Sequence, residues 1–162
     1  MTHLNRSIRS PLPAVHIAAA ILAAAATSAP ASEHRYTVTN QAYQTECASC
    51  HIAYPPRLLP ASSWKRMIDG LERHFGSDAS LSPAAIDEIG RFLQANAARG
   101  KRAAVGEGTL RITEMRWFIR EHDEVPARTW RHADVRGPAN CSACHKQAEQ
   151  GDFSERSVRM PR

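Results

Sequence analysis

All four cysteines and two of the eight histidines fall into one pattern written twice, Cys47-Ala48-Ser49-Cys50-His51 and Cys141-Ser142-Ala143-Cys144-His145. Composition alone yields one such pentapeptide in roughly one chain in two hundred of this length, so two copies that use every cysteine are not an accident. Two thiols three positions apart on a turn of helix can add to the two vinyl groups along one edge of a porphyrin. The histidine that follows then presents its imidazole to the iron from the proximal side. Four thiolates can instead hold a tetrahedral zinc, and four cysteines in an exported chain can form two disulfides. Neither alternative accounts for a histidine in the next position both times. Two covalently bound haem c groups are therefore expected, one on Cys47 and Cys50 and one on Cys141 and Cys144, with His51 and His145 as proximal iron ligands.

An iron used for electron transfer also needs a distal ligand, because a closed six-coordinate site changes little on reduction. The remaining candidates are His34, His74, His122, His132, Met67, Met115 and Met160. Methionine would raise the potential, and histidine would leave it lower. His74 is the first choice for the N-terminal haem. It lies seven positions beyond Met67 and three beyond Leu71, at the edge of an apolar stripe formed by Trp64, Met67, Ile68, Leu71 and Phe75, and so faces inward. A lone histidine more often packs or meets solvent, but this one is within 25 residues of a haem motif. Met67 is read as packing. For the second haem, His122 sits in Arg120-Glu121-His122-Asp123-Glu124, where a neighbouring carboxylate can orient the ring. A charge run is usually a solvated face, and residue chemistry leaves His122 level with His132.

The elements that must position these groups are mainly helical. Glu33 to Thr45 reads as a short leader to the first motif. Ala53 to Pro60 carries three prolines and reads as an extended loop against the haem. A helix is expected from Trp64 to about Phe75, capped by Ser63 and closed by Gly76. A second is expected from Ser82-Pro83 to about Ala98. Ala98 to Gly108, small and basic, is the best interdomain linker. Ile112 to Glu121 suits a short helical stretch leading to His122, and Asp123 to Asn140 reads as loop. The chain divides into residues 1–31, 32–100 and 101–162.

Residues 1–31 read as a cleaved secretory signal peptide. Arg6 and Arg9 form a basic start, Val15 to Ala26 is apolar apart from His16, and Ala29-Pro30-Ala31 offers a small-x-small cleavage pattern. The apolar run of 12 residues falls short of the roughly 20 needed for a membrane anchor. Maturation of c-type haem on the outer side of the energy-transducing membrane fits this export, and the periplasm is the expected compartment. Without the signal, 19 basic and 16 acidic residues remain, and the excess of three lies wholly in residues 101–162. Four haem propionates would bring the total near neutrality, so the basic pI does not indicate nucleic acid. Two small lobes bury too little apolar surface to be stable alone, and each haem is expected to act as a staple.

The stretches Glu46 to Leu59, Ser63 to Gly76, Arg111 to Val125 and Ala139 to Phe153 resemble the bacterial dihaem cytochrome c family. Its members act with a high-spin, oxygen-binding monohaem cytochrome c and with membrane cytochrome b. The resemblance implies a helical N-terminal domain similar to class I cytochromes c, a smaller, loop-rich C-terminal haem domain, and bis-histidine iron at both sites. It implies His74, in Leu71-Glu72-Arg73-His74-Phe75-Gly76, and His122, in Trp117-Phe118-Ile119-Arg120-Glu121-His122-Asp123, as distal ligands. Which of them serves which haem is left open by a possible exchange across the domain interface.

The expected function is that of a monomeric electron shuttle, not an enzyme, with transient docking to redox proteins, membrane-bound ones included. The C-terminal basic excess suits an acidic partner. A small dihaem peroxidase or reductase, or a haem-based sensor, would instead need one open iron.

Overall fold

The computed structural model describes residues 36–104, 106 and 108–161. The expected signal peptide and His34 lie outside the described residues. Ser32–Arg162 packs as one compact unit.

Helix α1, Gln41–Cys47, occupies part of the segment read from sequence as a leader. Its start is fixed by Asn40, whose backbone is extended and whose side-chain Oδ1 accepts the Tyr43 amide at 2.7 Å. The proline segment is not wholly extended, since Pro56–Leu58 forms a single 3-10 turn. Its two leucines, Leu58 and Leu59, are buried.

Helix α2, Ala61–Asp69, begins after Pro60 rather than at Ser63. Ser63 lies inside the helix, fully buried, with no hydrogen-bond partner for its hydroxyl. The helix also ends early. Gly70 closes it, and the chain continues through a 3-10 turn at Leu71–Arg73. Gly costs a helix interior about 1 kcal/mol relative to alanine, which makes Gly70 the natural break in the expected span. Helix α3, Pro83–Asn96, follows expectation, with Ser82 Oγ accepting the Ala85 amide and proline in the first turn.

The stretch expected as a linker is packed. It contains α4, Lys101–Ala104, and the buried Gly106, where a Cβ would overlap the end of Met115. Arg66 donates to the Gly108 carbonyl at 2.7 Å. A 3-10 turn at Ile112–Glu114 precedes α5, Arg116–Glu121. Within the region read as loop lies α6, Ala127–Trp130.

One apolar core gathers Tyr43 from α1, Trp64 from α2, Ile89 and Leu93 from α3, and Met115 and Phe118 at α5, around Leu59. Each such buried side chain contributes about 1.5–3 kcal/mol. Two indoles tie the pieces together, Trp64 donating to the Pro56 carbonyl at 2.6 Å and Trp117 to that of Leu58 at 3.3 Å. The helix that ends next to His122 is thus seated on the core that also carries the first cysteine motif.

Beyond α6 the chain is mostly 3-10 turns and loop. Its tail folds back, with the Arg159 amide donating to the Cys144 carbonyl at 2.9 Å and the Tyr36 amide to that of Gly151 at 2.8 Å. Isolated bridges are found but no strand among the described residues. The mainly α fold expected from sequence is the fold observed.

Candidate haem sites

Cys47 ends α1 and is half-buried, while Cys50 is exposed on the turn that follows. His51 comes next, its Nδ1 2.7 Å from the Ile52 carbonyl oxygen. A carbonyl only accepts, so Nδ1 carries the proton and Nε2 keeps its lone pair for a metal. The ring lies against Tyr54, with centroids 4.7 Å apart.

Facing it is His74, at 6.1 Å between ring centroids and 29° between planes. This ring is not on a helix, as the apolar stripe had suggested. It sits on a tight turn after Gly70, closed by the Ser77 amide donating to the His74 carbonyl at 3.0 Å. Two residues in the turn are left-handed, Phe75 at φ 48° and Gly76 at φ 100°. A non-glycine residue in that region costs about 1–2 kcal/mol, and the Arg111 guanidinium stacked 4.3 Å over the Phe75 ring helps hold it there.

The second motif forms a 3-10 turn at Cys141–Ala143, and the His145 amide donates to the Cys141 carbonyl at 2.8 Å. His122 caps the end of α5. Its Nδ1 reaches back one turn to the Phe118 carbonyl at 2.9 Å, and its ring lies on the Phe118 ring at 4.0 Å and 18°. The His122 and His145 centroids are again 6.1 Å apart, here with planes at 73°. A cavity of about 670 Å³ opens between them, lined by Cys141, Cys144, Phe118 and Trp130 among others.

Both separations have a plain chemical meaning. An imidazole nitrogen bonds a metal at about 2.0 Å and sits about 1.1 Å from the centre of its ring, so two imidazoles trans across one metal place their centroids about 6.2 Å apart. Burial, then the facing His51, pushes the His74 pKa down, and burial, then the facing His122, does the same for His145. Both shifts favour the neutral ring that ligates. His74 Nδ1 and His145 Nδ1 are buried without a protein partner, as expected where the neighbouring chemistry is supplied by a group other than the polypeptide. The residues present fit two haems.

The alternatives to haem find no support in the geometry. No disulfide joins any two of the four cysteines, and no cluster of three or more metal-binding side chains occurs among the described residues.

The other ligand candidates lie elsewhere. Met115 is buried in the core, and Met67 packs against it. Met160 borders the second cavity and is about half exposed. His132 turns towards Asp134, whose amide donates to its Nδ1 at 3.2 Å. Two supporting residues went unnoticed in the sequence. Phe118 was legible in retrospect, since it stands one helical turn before His122. Tyr54, three positions after His51, carried no distinguishing signal.

Comparison with known proteins adds the following. The family described as dihaem cytochrome c matches residues 43–153. A dihaem cytochrome c from Rhodobacter sphaeroides is 44% identical with TM-score 0.65, covering 73% of this chain and 99% of its own. A second structure, of DHC purified from Rhodobacter sphaeroides, gives 46% identity and TM-score 0.64 over 72% and 99%. The dihaem cytochrome from Shewanella baltica OS155 is 40% identical with TM-score 0.67 over 77% and 95%. No curated protein matches the chain.

Proposed function

Since the chain belongs to the dihaem cytochrome c family and carries two covalently bound c-type haems, we propose that it is a periplasmic electron shuttle whose two irons are each closed by a pair of histidines. Haem-based electron transfer is what its family provides.

The thioether bonds are assigned to Cys47 and Cys50 and to Cys141 and Cys144. His51 and His74 would ligate one iron, and His145 and His122 the other. The observation that carries this is the pair of 6.1 Å ring separations, each joining a motif histidine to one outside it. Each pair also falls within one half of the chain, which supports residues 32–100 and 101–162 as the two haem-bearing lobes. When bound, each haem supplies a reversible one-electron centre. The polypeptide orients the imidazoles, favours the neutral ring at His74 and His145, and shields the second site with Phe118 and Trp130. Closure of both irons argues for a carrier and against a peroxidase, which needs an open position.

Export to the periplasm rests on the leader pattern together with the covalent haems. The partners proposed by resemblance are an oxygen-binding monohaem cytochrome c and a membrane cytochrome b, met transiently by a monomer. The test is the oxidised spectrum of the holoprotein. Two low-spin irons without the weak red band of a sulfur–iron bond are expected, and that band would return Met67, Met115 or Met160 to the ligand set.

A further inference from the structure

The two histidine pairs share a separation but not an orientation. The rings of His51 and His74 are inclined by 29°, whereas those of His122 and His145 are inclined by 73°. In a low-spin ferric haem, each axial imidazole mixes its π orbital with the iron d orbital lying perpendicular to the ring plane. Near-parallel rings act on the same orbital and split the pair. Near-perpendicular rings act on one each and leave the pair almost degenerate.

The near-perpendicular arrangement has an identifiable cause in the fold. His122 is held in two ways by one residue, its Nδ1–H donating to the Phe118 carbonyl and its face lying on the Phe118 ring at 4.0 Å and 18°. Phe118 is itself buried in the core among Leu59 and Met115, so it cannot follow a rotation of His122. Opposite, His145 is braced by Phe153 at 5.5 Å. At the first site the brace is different, His51 lying on Tyr54 at 28°.

Resting on the reading that each pair shares one iron, we propose that this chain holds its two haems in contrasting axial geometries, near-parallel at the first and near-perpendicular at the second, and that Phe118 is the positioning residue for the second. Two haems with the same ligand set are thereby made electronically distinct, which gives the chain two distinguishable redox centres.

Electron paramagnetic resonance of the oxidised holoprotein at helium temperature tests this. The wild type is expected to show two low-spin species of equal spin count, one rhombic with three resolved g-values and one strongly axial with a single low-field feature. Phe118→Leu keeps the carbonyl and removes the ring. It should move the axial feature towards the rhombic position while leaving the rhombic signal in place. Tyr54→Leu removes the ring that lies on His51 and should shift the rhombic signal. Two rhombic signals in the wild type would overturn the contrasting geometries, whatever the variants do. An axial signal unmoved by Phe118→Leu would overturn the role of that ring. A high-spin signal in the wild type has a different meaning, because it defeats the histidine pairing itself.

Discussion

The phenolic hydroxyl of Tyr54 donates to the main-chain carbonyl of Ala139, 2.7 Å away and 85 positions along the chain. Tyr54 also stacks on His51, and Ala139 stands two residues before Cys141. One side chain therefore joins the two haem motifs. Its own carbonyl accepts the hydroxyl of Tyr43, a core residue. Burial lifts the Tyr54 pKa to about 12, so the donor is retained at physiological pH.

Tyr54→Phe should keep the stack and lose the bond. Stability is expected to fall by about 1 kcal/mol, with both haems retained and the visible spectrum unchanged. Denaturant unfolding followed at the haem absorption band checks this, and an unchanged midpoint would show that the bond contributes nothing to joining the two sites.

Gly151 is predicted to be intolerant of a side chain. It is left-handed, at φ 78°, and a Cβ there would lie 2.6 Å from the Tyr36 carbonyl group. Gly151→Ala should cost about 2 kcal/mol or more and loosen the tail around the second site. Thermal unfolding should show the loss, while Gly137→Ala, where a Cβ would meet nothing within 4 Å, provides a comparison with the conformational cost alone.

Acid should weaken the fold through the histidines. His74 and His145 have folded pKa values below the ordinary 6.5. As pH falls through about 6.5, the unfolded chain takes up protons that the folded chain refuses, so stability is full above that value and declines below it. An iron bond competes with the proton for the same ring and acts in the same direction. Unfolding midpoints measured from neutral to mildly acidic pH should decrease steadily. A maximum on the acid side would contradict the neutral-ring assignment.

The distal assignments predict single-site effects. His74→Ala and His122→Ala should each convert one of two irons to high spin and lower stability, because a ligand bond that braces a small lobe is lost. His132→Ala should leave both irons low-spin. Spin counting of the oxidised variants checks each case.

How far these features could be read in the sequence depended on how local their causes are. The Cys-x-x-Cys-His motifs are complete within five residues, and Ser82-Pro83 announces α3 within two. His74 was identified as a ligand candidate through a helical stripe, yet Gly70 breaks that helix and a left-handed turn at Phe75 and Gly76 presents the ring instead. Helix α1 was missed although Asn40 is a good cap, because seven residues give too short a period to recognise. Helix α6, at four residues, is shorter still. The Tyr54 bridge to Ala139 is purely tertiary, and no local pattern encodes it.

Carbon monoxide binding to the reduced holoprotein tests the central claim, that both irons are closed by histidine pairs, most directly. The wild type should show almost no spectral shift under the gas, while His74→Ala and His122→Ala should each bind one equivalent. Stoichiometric binding at one haem of the wild type, accompanied by peroxide turnover, would contradict the shuttle and identify an open catalytic iron.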